Sequence, residues 1–110
     1  MFEITKMLGR LGEVKEQVKV IKAELAEHRL THEDADSDIT VEINGNKEIK
    51  RIALGEKARA LPHAEQEASL VNAVNAAIND ARVYAKAELQ KRLAEEFPSI
   101  AGLDLSKYLD

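Results

Sequence analysis

Lys15, Lys19, Lys22 and Arg29 are separated by four, three and seven residues, so on a helix they line one flank, while Glu13, Glu24 and Glu27 fall on the other. Such a row has two readings. It is a solvated helix face, or it is a set of cations placed for phosphate oxygens; Lys15 and Lys19, like charges four apart, gain from an anionic partner. Lys47, Lys50, Arg51, Lys57 and Arg59 follow further along the chain and complete the candidate phosphate-contacting set. The residues that could support other chemistry are sparse. There is no cysteine, which excludes disulfides, thiol catalysis and thiolate metal sites. No nucleophile, base and orienting group share a recognisable pattern, and no glycine-rich loop could cradle a phosphate. No enzymatic activity, cofactor or small-molecule substrate is expected. His28 and His32 have the spacing of helical zinc ligands but no third ligand at a recognised interval, so the spacing reads as chance. Glu33, Asp34, Asp36 and Asp38 lack the glycine turn and distal glutamate of a calcium loop. No metal site is expected.

The elements that must carry these residues are legible from periodicity. Ile4, Met7, Leu11, Val14, Val18, Ile21 and Leu25 recur at steps of three and four, a heptad seam that predicts a helix over about 2–30. This seam is either a coiled-coil-like stripe for one or two long partners or the apolar face of an ordinary core helix. Gly9 and Gly12 weaken the first turns, so regular helix is expected to start near Leu11. Residues 31–38, acidic and without a basic residue, read as a solvated connector, with a short edge strand near Leu30 to His32.

In residues 39–54, Ile39, Val41 and Ile43 alternate with Thr40 and Glu42, the pattern of a half-buried strand. Asn44 and Gly45 are expected to supply the positive φ of a hairpin turn, returning a second strand through Ile49 to Leu54. That strand has a parity conflict, because Ile52 and Leu54 share one face and Ile49 belongs to the other. Either the strand is apolar on both sides or a bulge switches the alternation. A lone hairpin is barely stable in water, so the flanking helices or another copy must cover it. Ile39, Val41, Ile43, Ile49 and Ile52 are the candidate contacts with a second subunit. A connector over 55–63 then leads through Pro62 into a long helix, 64–97, whose apolar rhythm runs through Val71, Val74, Ile78, Ala81 and Ala85, with Leu70, Ala77 and Tyr84 beside it. Its broad apolar face suits the sheet, and the more charged half from Lys86 to Glu96 reads as a projecting arm. Phe97 and Pro98 end it. In the tail, 98–110, Ile100, Leu103, Leu105, Tyr108 and Leu109 are too apolar for a purely solvated end and are expected to dock.

With 110 residues, 45% hydrophobic, 33% charged and 4% aromatic, the chain has the composition of a single helix-rich α+β domain with an aliphatic core. It has no apolar run of the roughly 20 residues that cross a membrane and no signal-peptide core. A cytoplasmic location and no membrane partner are expected.

The order helix, hairpin, long helix, with Val41-Glu42-Ile43-Asn44-Gly45, Glu48-Ile49-Lys50-Arg51-Ile52 and Leu70-Val71-Asn72-Ala73-Val74-Asn75-Ala76-Ala77-Ile78-Asn79-Asp80-Ala81, resembles the YbaB/EbfC family of small bacterial nucleoid-associated proteins. The resemblance covers roughly residues 2–97. It implies a tweezer-shaped homodimer joined through its sheet regions, with helices projecting as arms, that binds double-stranded DNA at the nucleoid with limited sequence preference. It brings no catalytic residues. Two departures bear on how DNA would be met: the family's glycine-rich stretch before the hairpin is replaced by the acidic residues 33–38, and its Gly/Pro/Met-rich tail by residues 98–110.

The net charge of −4 opposes DNA binding if it is spread evenly. It is not. Residues 1–30 carry +1, 31–38 carry −4, 39–63 carry +2, 64–97 carry −2 and 98–110 carry −1. Pairing two copies would double the basic set on an acidic body. With so few aromatic residues, stacking on single-stranded bases is not the expected mode. The alternative reading is a protein-binding adaptor or assembly module that uses the heptad seam, the alanine-rich face or the tail.

Overall fold

The computed structural model describes the backbone of residues 2–97 and the side chains of residues 9–97; the apolar tail expected to dock lies outside the described residues. In chain order the elements are α1 (Phe2–Glu27), β1 (Arg29–Asp34), β2 (Ile39–Asn44), β3 (Ile49–Leu54), the one-turn α2 (Glu56–Arg59) and α3 (His63–Glu96). The strands form an antiparallel sheet in the order β1-β2-β3. The expected α+β arrangement of helix, small sheet and long helix is therefore present, in its three-stranded form.

Helix α1 begins at Phe2 rather than near Leu11. Gly9 and Gly12 have open space where a Cβ would stand, so they weaken helix propensity without imposing any break. The acidic segment is more ordered than its composition suggests. Arg29 to Asp34 pair with Asn44 to Ile39 as a full edge strand, in which Leu30 and His32 face inward while Arg29, Thr31 and Glu33 face solvent. Only residues 35–38 turn. There the Asp34 carboxylate accepts the backbone N–H groups of Asp36 and Ser37, and Asp38 takes the left-handed conformation, φ 60°.

The β2–β3 connection also departs from expectation. Asn44 is fully buried and remains in the strand, and the left-handed residue is Lys47, φ 66°. The turn closes through Asn44 N–H to the Glu48 carbonyl at 3.0 Å. Gly45 is needed for close approach: its N–H donates to the Leu25 carbonyl at 2.8 Å, and a Cβ there would lie 2.8 Å from that same oxygen. The parity conflict in β3 is resolved by a bulge. Glu42 pairs with Arg51 and Ile43 with Ile49, leaving Lys50 as the extra residue, so Ile49, Ile52 and Leu54 all lie opposite the Ile43, Val41 and Ile39 row.

Two buried clusters follow one another along α3. Ile39, Val41 and Ile43 pack with Ala58, Ala73, Ala77 and Ala81. Farther along, Ala85, Leu89 and Leu93 pack with Val14, Val18, Ile21 and Leu25 of α1, flanked by Tyr84 and Phe97. The far half of α3 is thus one side of a two-helix arm, and the molecule is elongated, 67 × 20 × 16 Å. The buried row of α3 differs from the expected one. Val71 is 58% exposed, and Val74 and Ile78 are half-buried at the margin, because the helix seats its alanines where backbone must come close to the sheet.

Ala77→Leu is expected to destabilise the protein by about 1–3 kcal/mol, because no space exists for added methyl groups. Val71→Leu should stay within about 0.5 kcal/mol. Denaturant midpoints of the two variants check this; equal midpoints would mean that the alanine row is not the buried one.

Candidate nucleic-acid interface

The end of α1 and the β2–β3 turn are clasped together by side-chain amides. Asn44 Nδ2 donates to the Ala26 carbonyl at 3.1 Å and to Glu48 Oε1 at 2.8 Å, while its Oδ1 accepts from the N–H groups of Asn46 and Glu48, both at 3.0 Å. Asn46 Nδ2 donates to the Lys22 carbonyl at 2.9 Å. A buried amide with its polar atoms this fully engaged holds one geometry, since leaving any of them unpaired costs about 1–3 kcal/mol.

The clasp brings candidate cations together. Lys22 on α1 lies against the turn that carries Lys47; Lys50 sits in the bulge just beyond the turn; Arg29 opens β1 opposite Asn44, at the same end of the sheet. Lys15 and Lys19 continue from Lys22 along α1, both exposed, and Lys19 lies 3.3 Å from Glu16. The other candidates are elsewhere. Arg51 is paired across the sheet with Glu42 at 4.0 Å. Lys57 and Arg59 are on α2, past the opposite end of β3, where the Asp38 carboxylate accepts the Lys57 N–H and Arg59 Nε donates to the Leu54 carbonyl. A six-residue strand separates the two ends by about 20 Å. Within one chain the basic residues therefore form a group around the turn and a separate pair beside the acidic 35–38 turn.

The residues expected to meet a second subunit are also divided. Ile39, Val41 and Ile43 are 1%, 0% and 0% exposed beneath α3 of their own chain, so they have no surface left to offer. Ile49 and Ile52 continue the same apolar row onto β3 and are 36% and 43% exposed. The difference arises because α3 crosses β1 and β2 and leaves β3 largely uncovered.

Several side-chain partnerships were not evident from sequence spacing. His32 Nδ1 lies 2.9 Å from Asp80 Oδ2, tying β1 to α3, and the His28 ring stacks on Tyr84 with centroids 4.3 Å apart. The two histidines have separate structural partners. The α1–α3 arm is fastened by the Arg92 guanidinium on both carboxylate oxygens of Glu24 and by Gln17 Nε2 donating to Glu96 at 2.7 Å. Only the tertiary path could reveal such pairs, because each joins residues far apart in sequence.

The hydrogen bond from Arg92 holds the Glu24 carboxyl below its ordinary value, against a smaller opposing effect of desolvation, and Arg92 is correspondingly raised. A lowered carboxylate pKa contributes stability that is present above the unfolded value and lost as pH falls through the folded one. In thermal melts from neutral pH to about 2, the parent should therefore exceed Glu24→Gln at neutral pH, with the difference vanishing in acid. The effect should be small and weaken with salt, because the Glu24 side chain is half exposed. A difference independent of pH would remove the pair from this role.

No helix among the described residues is long and apolar enough to cross a membrane. No curated protein and no solved structure matches the chain. The model of the YbaB/EbfC DNA-binding family matches residues 1–96, which spans both helices, the sheet and the clasp between them. The chain belongs to the YbaB/EbfC family of DNA-binding, nucleoid-associated proteins.

Proposed function

We propose that this protein binds duplex DNA at the nucleoid, in the cytoplasm, as a homodimer with limited sequence preference, mainly through Lys and Arg contacts to phosphates. The observation that carries the reading, beside family membership, is the gathering of Lys22, Arg29, Lys47 and Lys50 at one end of the sheet while the densest acidic segment, residues 33–38, lies at the other. Charge sorted in this way allows a net-acidic chain to present a locally positive surface. Lys15 and Lys19 extend that surface along α1. Contacts to phosphate carry no sequence information by themselves, which accounts for the limited preference.

Dimerisation is supported by β3. It is an open edge strand, and Ile49 and Ile52 stand exposed on its inner face, a combination that invites pairing with another strand. A second β3 laid against the first would cover these residues and bring a second basic group into the same particle.

Titration of duplex DNA with increasing salt tests the phosphate reading. Affinity should fall steeply, and Lys15→Glu, Lys19→Glu and Lys22→Glu combined should weaken binding and lower the salt slope by about 3 per chain. Unchanged affinity in the triple variant would eliminate this stripe as the contact. Ile52→Asp should shift the solution mass from dimer to monomer; a dimer that persists would place the subunit contact away from β3.

A further inference from the structure

Among the described residues, two other than glycine hold a positive φ, Asp38 at 60° and Lys47 at 66°. The first has a local reason. Aspartate is one of the few L residues whose short polar side chain tolerates the left-handed region, and the Asp38 carboxylate accepts the Lys57 N–H at the start of α2. Lysine has no such side chain. Its Cβ crowds the following carbonyl oxygen in that conformation, a contact that glycine would remove and that asparagine tolerates better.

The rest of the turn holds Lys47 in place. Its N–H donates to the Asn44 carbonyl at 3.1 Å, and the residues on either side of it, Asn46 and Glu48, donate their N–H groups to Asn44 Oδ1, both at 3.0 Å. Asn46 is also bonded to the Lys22 carbonyl of α1 at 2.9 Å. Lys47 is thus fixed beside one candidate cation, and Lys50, the extra residue of the bulge, follows three positions later. An unfavourable backbone conformation over-determined by its surroundings is characteristic of ligand clamps. Lys47 is also half-buried, whereas Lys15 and Lys19 are exposed. A side chain already confined loses less rotamer freedom when it meets a phosphate.

We propose that Lys47 is the anchoring phosphate contact of this interface, and that lysine occupies its left-handed position for DNA binding and against the stability of the turn. The inference rests on the duplex-DNA reading above. It gives the β2–β3 turn the leading contact and the α1 row a supporting one.

Lys47→Gly and Lys47→Asn in the full-length protein test it, with Lys19→Gln, which removes the same charge from the α1 row, as the comparison. Lys47→Gly should unfold at a higher denaturant concentration than the parent, because the left-handed backbone is relaxed. Both Lys47 variants should nevertheless bind duplex DNA about tenfold more weakly at low salt, with the salt slope lowered by about 1 per chain. Lys19→Gln should weaken binding several times less. A loss of affinity no greater for the Lys47 variants than for Lys19→Gln would overturn the proposal, as would a lower unfolding midpoint for Lys47→Gly. A parent that binds no duplex at low salt would instead refute the DNA reading and this assignment with it.

Discussion

The architecture depends on one ridge of α3, the row Ala73, Ala77, Ala81, Ala85, Leu89 and Leu93. Residues four apart on an α-helix advance by about 400°, so this row drifts by about 40° at each step and by about 200° from Ala73 to Leu93. A single helix can therefore bury its first half against the sheet and its second half against α1, the two contact directions differing by about 120° between Ala77 and Leu89. Side-chain size changes with the task. Alanines let the backbone sit close to β2, and leucines fill the wider space between two helices.

That ridge also decides what remains open. Because α3 is committed to β1 and β2 before it turns its buried row toward α1, it leaves the inner face of β3 at Ile49 and Ile52 largely uncovered among the described residues. The Ile39, Val41 and Ile43 row is sealed, while Ile49 and Ile52, equivalent to it in register and chemistry, are not. The apolar edge and the projecting arm are thus consequences of the same helix. Each is a surface on which burial is incomplete within one chain.

The clasp made by Asn44, Gly45 and Asn46 gives the arm a fixed relation to the sheet. Gly45 admits the Leu25 carbonyl at a distance that no Cβ would allow, Asn44 satisfies the Ala26 carbonyl that the helix itself leaves without a partner, and Asn46 adds a bond to the Lys22 carbonyl one turn earlier. Lys22, Arg29, Lys47 and Lys50 consequently lie at one end of the sheet, where Glu27 and Glu48 also stand, and the acids of the 35–38 turn are a strand length away. Charge sorting here is a property of strand register and cap geometry, since the net charge alone is negative.

Local pattern was enough to determine several features. The alternation of Ile39, Val41 and Ile43 marked β2, the misfit of Ile49 against Ile52 and Leu54 signalled a bulge or a doubly apolar strand, and the Asn-Gly and Asn-Asp-Ala segments pointed to the family. These are short-range facts about side-chain direction, and period two or 3.6 reports them faithfully. Tertiary structure decided the rest. The short edge strand expected near Leu30 to His32 extends over residues 29–34 because β2 offers a complete edge of hydrogen-bonding groups, a gain that the acidic composition of its far end does not reveal. The buried row of α3 was legible in part: Ala77, Ala81 and Ala85 stood in the expected apolar stripes, but so did Val71, which is exposed because close approach to the sheet favours the smaller side chain. The separation of Lys57 and Arg59 from the other cations likewise followed from the length of β3, because sequence lists charges in order while only pairing and packing set the distances between them.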